Sequence, residues 1–474
     1  MELLVLTALL LLGLWAVMIR RSRYTSQHAG AAAPFFVEKI GDPAVAHRVL
    51  VEDADAFANR PVLPFFVALS NARGAERSEN VSSVPYGPHW RALRCNMTAE
   101  TLHPSRLGLG HLAPLQREAI QNLVAALSAG AKGTVVVRNY LYVAVFRVIA
   151  RLCFGGGVDE RQVSAMQCLV HDFQLGIGEI KPVPVSSPLA KLAQWRQQRQ
   201  LLAIYGRMSE LLLPLIAARR RQPCDDGGRR PYLDSLIQLP VPGPEPEGKG
   251  SGRRALTEDE MVNLVLEFLG AGTGSLVVCL EWTLANLVAL PDVQKELRRE
   301  VDAEAATVSP DRSQLIRGMP YLHAVVLESL PMHPPVPLAF RHVQTDAAGM
   351  SVGSAAVPGN SDLIVQFLLG DMGRDRKTWT DPDEFRPERF LAGGEAHGIG
   401  PLPGPKEMRM MPFGAGHRFC PGVGLTMVVV KCFLAALVRE FEWAAPTDAV
   451  DFTELDAFFK TMKKPLSARI TPRN

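Results

Sequence analysis

The sequence predicts a mainly α chain with a small β portion, and three observations carry that reading. Residues 258–290 form a long apolar run opened by Thr257 and Glu260, spaced as a reciprocal cap at a helix start. Amphipathic runs with helical spacing recur before and after it. Scattered Val, Gly and Pro suited to short strands are concentrated in 334–365.

Taken in order, residues 3–19 are seventeen residues without a charge, followed by Arg20, Arg21 and Arg23. As a helix this run is about 26 Å long, the short end of a membrane span. The arginines place the rest of the chain on the cytosolic side. A cleaved secretory signal is the rival reading. It is disfavoured because Glu2 stands where a basic region belongs and Ile19-Arg20 is a poor cleavage site. The expected organisation is an anchor over 1–21, a linker over 22–34 and one catalytic domain over 35–474.

Helical periodicity follows over 42–55, and Pro88 opens a basic helix over 90–100. Residues 112–154 read as mostly helical, interrupted by a β-branched patch at Val135, Val136 and Val137. A long amphipathic helix spans 195–221, and 240–250 reads as an exposed loop rich in Pro, Gly and charge. The run 258–290 is long enough to cross a bilayer. Glu267 and Glu281 inside it favour a core helix instead. Helices are expected at 292–305 and 320–330, and no internal repeat is evident.

The chain has 474 residues, 47% hydrophobic and 21% charged, which suits a large core. A net charge of +3 gives no reason to expect nucleic acid. Seven cysteines without a CxxC pair indicate neither a disulfide framework nor a zinc site, so a reducing compartment fits.

One of those cysteines sits in Phe413-Gly-Ala-Gly-His-Arg418-Phe-Cys420-Pro-Gly422, just before the amphipathic run 421–440. Free N–H groups at a helix start favour a thiolate. A thiolate aimed at an open face can ligate haem iron, and such ligation favours O–O cleavage. The glycines allow close backbone approach to a flat macrocycle. Arg418 can donate charge-assisted hydrogen bonds to a propionate. The competing reading is a buried, inert cysteine.

The pattern Phe-x-x-Gly-x-Arg-x-Cys-x-Gly resembles the haem-binding loop of cytochrome P450 enzymes. The runs Tyr86-Gly-Pro-His-Trp90-Arg-Ala-Leu-Arg94 and Lys406-Glu-Met-Arg-Met-Met-Pro-Phe413 resemble the plant microsomal A-type members, family 89 above all. The resemblance covers residues 35–474. It implies the P450 fold and haem b with Cys420 as axial iron ligand, with Phe413 and Gly422 shaping the loop. It also implies Trp90, Arg94, Arg418 and His342 as propionate partners. Pro387-Glu-Arg389-Phe390 matches a further family element, whose Arg389 pairs with Glu328. The activity implied is insertion of one oxygen atom from O2 into a small organic substrate. Electrons would come from NADPH through a flavoprotein reductase at the endoplasmic reticulum membrane, drawn to a basic face of Arg91, Lys406, Arg409, His417 and Lys431.

Three departures from the family pattern stand out. The Glu-x-x-Arg motif reads Glu328-Ser-Leu-Pro331, so proline replaces an arginine of a buried ion network. Losing such a partner costs roughly 3–5 kcal/mol, and proline inside a helix up to ~3 kcal/mol. In the oxygen-activating segment, Gly274 replaces an acid and Ser275 a threonine. The hydroxyls of Thr273 and Ser275 are the candidate catalytic groups, since O–O cleavage requires delivered protons. The proline-rich hinge, first helix and strands usual after the anchor are absent, leaving only 20–35. Two alternatives to a monooxygenase therefore stay open: a haem-thiolate enzyme rearranging hydroperoxides, and a degraded member without turnover.

Overall fold

The computed structural model describes residues 35–62, 80–107, 112–130, 133–156, 158–178, 188–222, 230–243, 252–306, 318–346, 348–353, 355–446, 449–455 and 457–473. The predicted anchor and linker lie outside these residues.

Twelve α-helices occur among the described residues: α1 Pro43–His47, α2 Pro88–Met97, α3 Leu112–Gly130, α4 Val137–Phe154, α5 Glu160–Gly178, α6 Pro188–Arg221, α7 Tyr232–Ile237, α8 Glu258–Ala289, α9 Pro291–Ala306, α10 Pro320–Met332, α11 Leu369–Gly373 and α12 Val423–Glu440. The strands are β1 Phe35–Ile40, β2 Thr134–Val136, β3 Pro240–Pro242, β4 Arg253–Ala255, β5 Leu338–Gln344, β6 Met350–Val352, β7 Ala355–Val357, β8 Asp362–Leu368, β9 Phe441–Ala444, β10 Glu454–Leu455, β11 Thr461–Met462 and β12 Ser467–Pro472. Fold class and most helix positions follow the sequence reading.

The chain divides into two units. The smaller takes in 35–38 and 342–365 of the described residues. It contains the antiparallel β6–β7 hairpin, with Met350 opposite Val357, and much of a sheet ordered β1–β8–β5. Thr345 ties this unit together: its N–H donates to the Ser361 carbonyl and its hydroxyl oxygen accepts from Ser361 N.

The larger unit is the helical one, with α8 at its centre. Thr257 Oγ1 accepts from Glu260 N at 3.2 Å, and Glu260 returns a bond to Thr257 N, the reciprocal cap the sequence signals. Among the described residues, two helical stretches are long and apolar enough to cross a membrane, 192–221 and 258–289. The second is mostly buried, and α8 packs on α4, α5, α6, α10 and α12. Glu281, fully buried, is tolerated there because Arg138 Nε donates to it at 2.7 Å and Leu466 N at 3.0 Å. Strand β12 pairs antiparallel with β2 and β9, so the β-branched patch 135–137 is divided between a strand and the start of α4.

Two local expectations change. The helical stretch after Asp42 is α1 followed by a π-helical turn, Arg48–Glu52. Part of the expected 240–250 loop is strand, with Val241 paired to Arg254. Prolines at both ends of β3 are compatible with a two-stranded edge.

Candidate active site

The cysteine loop is shaped by backbone contacts. Cys420 N donates to the Phe413 carbonyl at 2.8 Å, closing the loop between the two ends of the motif. Gly416 has φ +67°, and a Cβ there would stand 2.2 Å from the Leu50 carbonyl oxygen, so only glycine fits. Gly422 is the N-cap of α12, and its N–H donates to Cys420 Sγ at 3.3 Å. The thiol thus has the helix-start amide the sequence predicted. Burial nevertheless pushes its pKa up, outweighing the opposing pull of that N–H, Arg94 and Arg60.

Four guanidinium groups interact electrostatically around this loop. Arg418 is 3% exposed and donates to the carbonyls of Ala58 (2.8 Å), Val81 (2.9 Å) and Val84 (2.6 Å). Trp90 Nε1 donates to the same Val81 carbonyl at 3.1 Å, and Arg418 lies over its ring. The N–H of Trp90 and three N–H groups of Arg418, expected to face a propionate, are therefore given to the backbone. Arg94 stands 4.8 Å from the Phe419 ring centroid and has no hydrogen-bond acceptor among the described residues.

Arg60 and Arg341 complete the set, and the sequence reading missed both. Arg60 donates to the Arg418 carbonyl at 2.9 Å. Arg341, 1% exposed, donates to the Ala415 carbonyl at 3.0 Å. Burial lowers its pKa to about 9, with Arg60 and Arg418 adding to the fall. Burial, Arg60 and Arg94 lower Arg418 to about 10. The carboxylate that offsets this charge is Glu267, whose oxygens are taken by Val81 N, Ser82 N and the Ser82 hydroxyl.

His342, the other expected propionate partner, belongs to the smaller unit, where its Nε2 is 3.2 Å from Asp362 Oδ1. Successive strand residues point to opposite faces, so Arg341 and His342 on β5 have different partners. Arg60 lies in a segment with no motif, and its sequence offers no signal.

On α8, Ala271 is exposed within a helix whose neighbouring turns are mostly core. Ser275 lies one turn on and donates to the Ala271 carbonyl at 2.7 Å. Thr273 is fully buried and its hydroxyl has no partner among the described residues. It lies about 200° round the helix from Ser275.

The Glu–Arg network is partly kept. Arg389 Nε donates to Glu328 at 3.0 Å, and Arg386 N donates at 2.8 Å. Arg389 also bonds to Glu395 and to the carbonyls of Thr380, Asp381 and Glu384. Glu395 was not anticipated. Pro331 lies in the last turn of α10. Burial raises Glu328 to about 7, while Arg386 N–H and Arg389 oppose it.

The expected basic face is less free than its sequence suggests. Arg409 is turned to the carbonyls of Thr378 and Glu395, and His417 pairs with Asp55 at 2.7 Å. Arg91 lies over Tyr86.

Among the described residues, four arginines, two of them buried, meet one carboxylate, a positive excess that a dianion would offset, and haem b carries two propionates. Together with the loop thiol, these residues fit haem. The fold and the site define a haem-thiolate protein. A family model described as Cytochrome P450 matches residues 37–470, and the chain belongs to that family. It is 30% identical to cytochrome P450 89A9 of Arabidopsis thaliana over 94% of this chain and 86% of that protein. It is 27% identical to β-amyrin 24-hydroxylase of Glycine max over 90% of this chain and 82% of that protein. A zebra fish cytochrome P450 structure with progesterone has a TM-score of 0.73 at 22% identity, covering 92% of this chain and 93% of that one. The chain is thus a P450-fold oxidoreductase of the monooxygenase class, using haem b and electrons that the family draws from NADPH.

Proposed function

We propose that Cys420 ligates the haem iron and that Arg60, Arg94, Arg341 and the remaining N–H groups of Arg418 hold the propionates. The chain inserts one oxygen atom into a small organic substrate, with electrons relayed by an NADPH-dependent flavoprotein reductase. It sits on the cytosolic face of the endoplasmic reticulum through residues 1–21. The observation that carries this reading is the guanidinium excess around the Cys420 loop, with Arg341 and Arg418 buried. Haem, when bound, supplies the redox chemistry that activates O2. The chain's own contribution on the substrate side is Ser275, whose hydroxyl is placed on the open stripe with Ala271 to hold a water.

The test is the reduced, carbon monoxide-bound spectrum of the purified protein. A Soret band at the thiolate position is expected, and Cys420→Ser removes it. A band at the neutral-thiol position, or no haem, sinks the proposal. The absence of an acid at Gly274 favours one second reading, conversion of hydroperoxides. It prevails if NADPH oxidation yields only peroxide while added hydroperoxides are turned over.

A further inference from the structure

Beyond its first turn, α8 carries two acids, Glu267 and Glu281, and they serve different ends. Glu281 is closed off by Arg138 and Leu466 N. Glu267 instead reaches the turn 80–84, just before α2. Its Oε2 accepts from Val81 N at 2.8 Å, and its Oε1 accepts from Ser82 N at 2.8 Å and from the Ser82 hydroxyl. The turn is closed on itself: Asn80 Oδ1 accepts from Ser83 N at 2.9 Å, and the Asn80 carbonyl accepts from Val84 N at 3.0 Å.

One amide carries the connection onward. Ser82 N and the Val81 carbonyl belong to the same planar peptide unit, so their directions are locked opposite to one another. The N–H end is held by Glu267. The carbonyl end accepts from Trp90 Nε1 at 3.1 Å and from Arg418 Nη1 at 2.9 Å. Arg418 Nη2 donates to the Val84 carbonyl of the same turn at 2.6 Å. A carboxylate on the N–H end polarises the peptide and strengthens the bonds its carbonyl accepts. Rotating this peptide away from Glu267 would turn its carbonyl from both Trp90 and Arg418. Glu267 also interacts electrostatically with Arg60, Arg94 and Arg418, so its charge and its hydrogen bonds act on the same set.

We propose that Glu267 is the positioning residue for Trp90 and Arg418, acting through the Val81–Ser82 peptide. It fixes the aim of that carbonyl. It thereby sets which guanidinium N–H groups the backbone holds and which are left to meet a propionate. This rests on the haem-thiolate reading of the Cys420 loop and names the residue that aligns the loop's donors.

The test uses the full-length protein carrying isotope-labelled tryptophan, read by NMR. The resonance lost in Trp90→Phe marks the Trp90 indole N–H. Its exchange with solvent is measured in wild type, Glu267→Gln, Ser82→Ala and Glu281→Gln. Glu267→Gln is expected to speed this exchange about tenfold, and Ser82→Ala, which removes only the hydroxyl contact, about two- to threefold. Glu281→Gln should lower the melting temperature and leave Trp90 exchange at the wild-type rate, which separates positioning from the loss of any buried acid in α8. Haem transfer to apomyoglobin gives a second readout. Glu267→Gln and Trp90→Phe should each speed haem loss about tenfold, and the double variant should be no faster than the faster single. Trp90 exchange at the wild-type rate in Glu267→Gln overturns the proposal. So does equal acceleration in Glu281→Gln, or additive haem loss in the double variant. Where Glu267→Gln does not fold, a wild-type rate in Ser82→Ala overturns it. If the wild type gives no thiolate carbon monoxide band, the haem-thiolate reading fails separately. Trp90 exchange, which needs no haem, still decides whether Glu267 aims this peptide.

Discussion

Arg341 and His342 are neighbours on β5 with different duties. Arg341 is buried against the Ala415 carbonyl of the cysteine loop, whereas His342 is paired with Asp362. Arg341→Leu should weaken haem retention by about 1.5–3 kcal/mol, roughly tenfold or more in haem loss, while His342→Ala leaves it unchanged. Transfer of haem to apomyoglobin checks this. Equal loss rates for the two variants would refute it. The cysteine, its glycines, Trp90 and Arg418 stood out as candidates because their spacing is local and constrained by backbone geometry. Arg60 and Arg341 did not. Their placement beside the loop depends on where distant segments meet, and a strand displays its side chains on alternate faces with no mark of which face is inward.

At the scale of elements, α8 was readable at both levels: its cap from Thr257 and Glu260, its burial from two acids that each find partners. The end of α10 was harder. Replacement of arginine by Pro331 reads as a broken network, yet Arg389 holds both Glu328 and Glu395. Burial nevertheless raises Glu328 against the opposing pull of Arg386 N–H and Arg389. A carboxyl raised from 4.5 to about 7 by burial lends stability below its unfolded pKa and loses it as pH rises through about 7. Glu328→Gln should flatten the fall in melting temperature between these values. Pro331→Arg should lower the Glu328 pKa and raise the melting temperature above neutrality. A wild-type profile in Glu328→Gln would show that Glu328 does not titrate in this window.

For the whole molecule, membrane attachment should separate from the haem fold. Deleting residues 1–21 is expected to shift the protein from carbonate-resistant membranes toward the soluble or peripheral fraction. The carbon monoxide spectrum should be unchanged. A deletion variant that stays resistant to carbonate would move the anchor elsewhere, with the apolar stretch 192–221 the next segment to examine. The mainly α architecture was legible from periodicity. The division of the chain into two units was not, because the smaller unit joins residues about three hundred positions apart in sequence.

Gly416 against Leu50, His417 against Asp55, and Arg418 against Ala58, Val81 and Val84 have one consequence in time rather than space. Every one of these contacts joins an early segment to a late one, some 360 residues apart for Arg418 and Ala58. During synthesis the early segment emerges long before its partners exist. Its carbonyls wait in water until residues past 410 leave the ribosome. Closure of the cysteine loop is therefore among the last events in assembly, and cofactor capture must follow the meeting of the two ends.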